Sequence, residues 1–131
     1  MSLAVLVVED DVLSRMLVTD LLEESGHRVH AAFSVQDCRR LVRELPRIDI
    51  ILVDLSLPDG SGLGLLAELL AGPLGPVPVV AYTAHAFPED IVGLLAAGFC
   101  AVLTKPINTL TFVAEIERLA QAGSLRGNQP S

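Results

Sequence analysis

The feature that most constrains the fold is a regular alternation between short apolar runs and segments with helical spacing of apolar residues. Five apolar runs occur, and each is followed by a segment that we predict to be a helix. The predicted strands are residues 3–8, 27–32, 49–53 and 76–82, and a fifth strand is contained within residues 99–104. The predicted helices are residues 12–25, 34–45, 62–70, 88–97 and a last one capped by Asn108 or Thr109. Five such units predict an α/β fold, a doubly wound parallel sheet with helices on both faces.

Polar residues stand where four of the predicted strands end. They are Glu9 and Asp10 after the first strand, Asp54 after the third, Thr83 after the fourth and Lys105 after the fifth. The carboxyl ends of parallel strands lie on one edge of the sheet, where ligands usually bind. We therefore expect these five residues to converge, although they are far apart in sequence.

Three carboxylates at one edge repel one another, and this repulsion predicts a bound cation. Two unit charges ~4 Å apart repel by on the order of 4 kcal/mol at an effective dielectric constant of about 20. A few oxygen ligands with room for water suit Mg²⁺ better than Ca²⁺. The segment after Asp10 also lacks the regular acidic spacing of an EF-hand loop.

A divalent cation, a carboxylate, a lysine and a hydroxyl are the groups needed for phosphoryl transfer to the carboxylate. Asp54 can act as a nucleophile and form an aspartyl phosphate. Mg²⁺ would bind one phosphoryl oxygen, the compact Lys105 ammonium a second and the Thr83 hydroxyl a third. Taken alone, Asp54 has a simpler interpretation, as a turn-initiating residue after a buried strand.

The composition argues against several classes of protein. The formal net charge is -7 and the pI is about 4.7, which disfavours binding to nucleic acid or to an anionic membrane surface. No segment has the length of a membrane span, and the opening run lacks the features of a signal peptide. Cys38 and Cys100 are expected to be reduced, and no histidine has zinc-like spacing with either. We expect a cytoplasmic protein.

Four motifs resemble the receiver domain of two-component response regulators, within the CheY-like superfamily. They are Val-Val-Glu-Asp-Asp at 7–11, Val-Asp-Leu-Ser-Leu-Pro-Asp-Gly at 53–60, Thr-Ala at 83–84 and Lys-Pro at 105–106. The resemblance spans residues from about 3 to 122 and implies a flavodoxin-like (βα)5 fold with strand order 2-1-3-4-5. We accordingly expect a receiver domain over residues 1–122 and a flexible C-terminal tail over residues 123–131.

The resemblance also implies a role for each acidic residue. Asp54 matches the aspartate that accepts a phosphoryl group from a sensor histidine kinase or a histidine phosphotransfer protein. Asp10, Asp54 and the Ser56 backbone carbonyl match the direct Mg²⁺ ligands, and Glu9 matches the acid that holds Mg²⁺ through water.

The remaining site residues match the switch of the family, with one departure. Thr83 matches the hydroxyl that moves toward the phosphoryl group, and Lys105 its basic partner, which is followed in the family by a cis bond to Pro106. Val102 stands where many receivers have a Tyr or Phe that rotates inward. Either the smaller side chain of Val102 leaves a groove for a partner's side chain, or the output surface is used differently. Tyr82 should point away from Thr83 and pack in the core.

The predicted function is a signalling phosphoacceptor rather than an enzyme. Phosphorylation of Asp54 would switch a surface that binds a downstream effector protein or a fused output domain. The chain would act alone or as a module of a hybrid histidine kinase or multidomain regulator.

Two other classes of protein use a similar sheet. A haloacid-dehalogenase-like phosphatase would need an acid two residues after its nucleophile, where Ser56 stands. A flavodoxin-like cofactor binder would need a hydroxyl- and glycine-rich loop in place of the acidic segment that begins at Glu9. In the receiver family, Ser56 and His85 occupy positions beside the path of the attacking water, and the alternative for His85 is a loop residue with no role. Asp59 is predicted to be a turn residue.

Overall fold

The computed structural model describes residues 2–72, 76–84 and 86–128, with side chains as far as Ala122. Numbered in chain order, the described strands are β1 Ala4–Val8, β2 Arg28–Ala32, β3 Ile50–Asp54, β4 Ser56–Leu57, β5 Gly60–Ser61, β6 Val79–Thr83 and β7 Ala101–Thr104. The described helices are α1 Val12–Glu24, α2 Val35–Glu44, α3 Gly62–Leu70, α4 Pro88–Ala97 and α5 Phe112–Asn128.

Five strands form one parallel sheet in the order β2-β1-β3-β6-β7. Counted without the short β4–β5 hairpin, this is the predicted order 2-1-3-4-5. The central strands β1 and β3 are buried along their whole length, as strands covered by helices on both faces must be. One hydrophobic core lies on each face of the sheet, and the predicted doubly wound α/β fold is confirmed.

Local signals set several helix ends where the sequence predicts them. Ser34 caps α2 by accepting a hydrogen bond from the Asp37 amide at 3.1 Å, and the Asp37 carboxylate accepts one from Phe33 at 3.1 Å. Gly26 and Gly98 follow α1 and α4 with φ values of 90° and 127°, a region that favours glycine.

The structure moves the boundaries of some predicted elements. β6 begins at Val79 rather than at residue 76, and prolines, which have no N–H to donate, occupy two of the three preceding positions. β7 lies within the predicted segment 99–104, and it begins only at Ala101 because the Phe99 amide donates to the Leu94 carbonyl at the end of α4. α5 begins at Phe112, later than a cap at Asn108 or Thr109 predicts, and it continues to Asn128. Residues 129–131 lie outside the described residues, and the flexibility of the tail from residue 123 stays a prediction.

The β4–β5 hairpin lies where the sequence predicts only a turn. Its loop residue Asp59 reaches α2, where its two carboxylate oxygens accept hydrogen bonds from the amides of Val35 at 2.8 Å and Gln36 at 3.1 Å. These bonds hold the pKa of Asp59 below its usual value. Asp59 therefore joins the segment after Asp54 to the first turn of α2, and its role extends beyond the predicted turn.

Asp59→Ala is expected to loosen the start of α2, because two amide donors of its first turn lose their acceptors. We expect roughly fivefold faster hydrogen exchange at the Val35 and Gln36 amides and a lower urea midpoint. Exchange measured by NMR checks the first effect. Glu24→Ala, which removes an exposed acid from the end of α1, is the charge control. Unchanged exchange at both amides would contradict this assignment.

No helix in the described part of the chain combines the length and the apolar character needed to cross a membrane.

Candidate functional site

The sheet brings the polar strand-end residues to one edge. Glu9 follows β1, Asp54 is the last residue of β3, and Thr83 is the last residue of β6. Lys105 follows β7, and its amide donates to the Thr83 carbonyl at 2.8 Å. The parallel registers of β1 with β3 and of β3 with β6 place these ends side by side. The convergence expected from the sequence is therefore present.

The Lys105 ammonium bridges two buried carboxylates. Its Nζ lies 2.7 Å from Glu9 Oε1 and 2.9 Å from Asp54 Oδ2. Glu9 is fully buried and Asp54 is 6% exposed, so water screens these contacts weakly. The peptide bond between Lys105 and Pro106 is cis, as the resemblance implied.

The two carboxylates do not ionise alike. Burial raises the pKa of Glu9 to about 7, and a hydrogen bond shared with Asp54 adds to this effect although Lys105 opposes it. Burial also disfavours the charged form of Asp54. Hydrogen bonds with Glu9, the Ser56 amide and Lys105 outweigh it and hold the pKa of Asp54 below its usual value. Of the two carboxyls, Glu9 therefore binds a proton more tightly than Asp54 does.

The acidic cluster has the donors of a site for a hard divalent cation. Carboxylate oxygens of Glu9, Asp10 and Asp54 lie within 4.8 Å of one another. Glu9 Oε2 is buried without a hydrogen-bond partner among the described residues, and such an oxygen needs a proton or a cation. Asp10 is exposed, which leaves room for water ligands. Three oxygen donors with an open side are suited to Mg²⁺.

The segment after β3 holds the Asp54 carboxylate in place. The Ser56 amide donates to Asp54 Oδ1 at 2.9 Å, and Oδ2 accepts from Lys105. Gly62 allows the segment to fold back, because a Cβ atom there would lie 2.5 Å from the Asp54 backbone oxygen. Both carboxylate oxygens are thus fixed by neighbours from different elements.

Arg15 of α1 supports the acidic segment from outside. Its Nη1 donates to the Glu9 carbonyl at 3.1 Å and to the Asp10 carbonyl at 3.4 Å. The guanidinium carbon lies 4.2 Å from the centre of the Phe33 ring. Arg15 is not among the residues predicted from the sequence, and a basic residue one turn into the helix after an acidic segment is the only signal that indicates it.

Tyr82 is a second neighbour of the site, and its contacts exceed the packing role predicted from the sequence. The predicted packing is confirmed, because Tyr82 is 2% exposed and belongs to the core that contains Phe112 and Ile116. Its ring also lies under the Lys105 ammonium, with 4.6 Å between Nζ and the ring centre. Its position one residue before Thr83, on the strand next to β7, was the available signal.

The other predicted residues have simpler surroundings. Thr83 is half-buried at the end of β6, and Ser56 is exposed. Val102 is half-buried on β7, packs against the core and lines a surface pocket of about 250 Å³. His85 lies outside the described residues, so its role stays a prediction.

Comparison with known proteins shows which family this chain is similar to. The family model for the response regulator receiver domain matches residues 5–117. A sensor histidine kinase of Pseudomonas aeruginosa, AruS, is 39% identical over 109 residues, which are 81% of this chain and 11% of that protein. The virulence transcriptional regulatory protein PhoP of Salmonella typhimurium is 36% identical over 121 residues, 92% of this chain and 53% of that protein. The chain thus spans about half of one curated relative and a small part of the other.

A solved structure of a similar protein has the same fold as this chain. A CheY-like receiver domain protein from Methanospirillum hungatei superposes with a TM-score of 0.85 and 23% identity. The match covers 96% of this chain and 99% of that one. At this identity the likeness concerns the fold, which agrees with the observed strand order.

Proposed function

The chain belongs to the family of response regulator receiver domains, and we propose that it accepts a phosphoryl group on Asp54 and thereby switches a protein-binding surface. One observation carries this proposal: the only lysine of the chain places its ammonium on Asp54 at the carboxyl edge of the sheet. A fixed cation there can stabilise the charge of a phosphoryl group attached to that carboxylate. The family is one of signalling phosphoacceptors, and we propose no further enzymatic role.

Mg²⁺ is the proposed cofactor. Asp10, Asp54 and the Ser56 carbonyl would hold it directly, and Glu9 would hold it through water. When bound, it neutralises charge that collects on the transferred phosphoryl group. The unpartnered oxygen of Glu9 and the open side at Asp10 support this assignment.

Side chains and backbone groups of the chain orient Asp54 and respond to the phosphoryl group. The Ser56 amide and Lys105 orient the Asp54 carboxylate so that an oxygen can attack phosphorus in line with the bond to the donor's leaving nitrogen or oxygen, and that bond breaks as the acyl phosphate forms. The Lys105 ammonium then pairs with the phosphoryl oxygens, and the Thr83 hydroxyl moves toward them. The added charge biases a two-state equilibrium of the surface formed by α4, β7 and α5.

The proposed partners follow the family. The phosphoryl donor is a sensor histidine kinase or a histidine phosphotransfer protein, and the output is an effector protein or a fused domain. The chain acts alone or as a module of a hybrid kinase or multidomain regulator, in the cytoplasm. The pocket beside Val102 supports a groove for a partner's side chain at the position where many receivers have an aromatic residue. Membership of this family leaves no support for the phosphatase or cofactor-binding alternatives.

The direct test is incubation with acetyl phosphate and Mg²⁺, followed by intact mass spectrometry. We expect the mass of one phosphoryl group to be gained, and the gain to be lost when EDTA removes the divalent cation. A protein that gains no mass from acetyl phosphate, and none from a phosphorylated histidine kinase, would contradict the proposal.

Mg²⁺ affinity is expected to rise with pH. A proton with a pKa of about 7 on Glu9 must leave before the carboxylate can face a cation, so protons compete with Mg²⁺ below that pH. The apparent affinity should increase by about tenfold from pH 6 to pH 8. Calorimetry in buffers of different ionisation enthalpy measures the proton released. Glu9→Gln should bind with little pH dependence, and a wild-type affinity that is flat over this range would show the argument to be wrong.

A further inference from the structure

The Lys105 ammonium has a third partner besides the two carboxylates, and that partner is the buried ring of Tyr82. Nζ lies 4.6 Å from the ring centre, within the distance at which an aromatic face attracts a cation. Glu9 and Asp54 hold the ammonium at 2.7 and 2.9 Å. The ring makes its contact without involving either carboxylate.

Tyr82 is itself rigidly held. It lies in the interior strand β6, in register with Asp54 on one side and Leu103 on the other. Its side chain is 2% exposed. The Lys105 ammonium, in contrast, stands at the end of a flexible four-carbon chain, and 20% of this side chain is exposed. A fixed ring beside a flexible cation restricts the positions that the cation can occupy, and this reduces the side-chain entropy lost at each encounter with phosphate.

An aromatic ring has an advantage over a third acid at this position. A further carboxylate would also hold the ammonium, but it would cancel the positive charge that must stabilise the phosphoryl oxygens. Burial raises the pKa of the Tyr82 phenol, so the ring stays neutral near pH 7. The ring therefore attracts the cation without neutralising it.

We propose that Tyr82 is a positioning residue, whose ring holds the Lys105 ammonium where it faces Asp54. The proposal deepens the phosphoacceptor function and rests on it for its kinetic test. Tyr82 also packs in the core, so the packing role and the positioning role must be separated by experiment.

The kinetic test compares phosphorylation by acetyl phosphate at saturating Mg²⁺. Tyr82→Phe keeps the ring and should stay within about twofold of wild type, whereas Tyr82→Leu should slow uptake by about three- to thirtyfold, the range of a cation–aromatic contact. Phe112→Leu is the matched control, because Phe112 is a buried ring of the same core. Equal slowing by Tyr82→Leu and Phe112→Leu would overturn the proposal, since it would show a general effect of core packing.

If Tyr82→Leu does not fold, fluorinated phenylalanines at position 82 test the same contact. They keep the shape of the ring while weakening the negative potential of its face. Uptake should fall steadily from phenylalanine to its mono-, di- and trifluoro analogues. A rate independent of fluorination would overturn the proposal.

A test without phosphate separates this inference from the proposed function. Lys105 is the only lysine, so lysine labelled with carbon-13 gives a single set of side-chain signals. The ε-methylene protons should shift upfield because of the ring, and the shift should persist in Tyr82→Phe and vanish in Tyr82→Leu. If this pattern appears in a protein that takes up no phosphate, the proposed function fails and the contact stands. An ε-methylene signal at its ordinary position in the wild type would overturn the inference.

Discussion

Asp54→Asn is expected to abolish phosphoryl uptake while the protein stays folded. The amide that replaces the carboxylate has no anionic oxygen to attack phosphorus, so no acyl phosphate can form. Asparagine keeps an oxygen that can accept the hydrogen bond from the Ser56 amide, which is 2.9 Å long in the wild type. It also removes one of the two buried charges, which leaves Lys105 paired with Glu9. Intact mass after incubation with acetyl phosphate and Mg²⁺ should show no gain.

The control for this variant is Asp11→Asn. Asp11 caps α1, where its carboxylate accepts a hydrogen bond from the Ser14 amide at 2.8 Å, and asparagine caps helices equally well. This variant should still gain one phosphoryl group. Circular dichroism should show that both proteins keep the secondary structure of the wild type. A mass gain in Asp54→Asn that peptide mapping places at residue 54 would contradict the proposed chemistry.

The sequence predicted the framework of the site because strand ends depend on local pattern and on topology. β1 and β3 are buried throughout, so each reads as an unbroken apolar run that stops at its first acid. Once the alternation predicts a parallel sheet, all such stops fall on one edge. Glu9, Asp54 and Lys105 could therefore be placed together although up to 96 residues separate them.

The contacts within the site could not be predicted in the same way, because they depend on side-chain reach across elements. The bonds of Asp59 to α2 depend on a hairpin whose two strands have two residues each, too few to leave an alternating pattern. The ring contact of Tyr82 requires the length and path of Lys105 to be known. The pKa of Glu9 depends on its burial, whereas the sequence shows only that it is acidic. Each of these features depends on how the folded chain arranges its side chains in space.

Lys105→Met is expected to separate cation binding from phosphoryl transfer. The ammonium sits on two carboxylates that the proposal assigns to Mg²⁺, so it opposes the cation through charge and through occupancy. Without it, Mg²⁺ should bind at least about tenfold more tightly, since a nearby like charge is gone. In the absence of Mg²⁺, two buried acids lose their counter-charge, and the free energy of unfolding should fall by about 3 kcal/mol at pH 8.

Phosphorylation of Lys105→Met should nevertheless slow by about a hundredfold or more, because a fixed cation is lost where phosphoryl charge develops. Calorimetry with Mg²⁺ and time-resolved intact mass measure the two opposite effects on one protein. Arg118→Met is the control, because it removes a cation that is 63% exposed on α5 and pairs with Glu115. It should change neither quantity by more than about twofold. If Lys105→Met weakens Mg²⁺ binding and phosphorylation together, the ammonium organises the acidic cluster, and its assignment as the partner of the phosphoryl group would have to be abandoned.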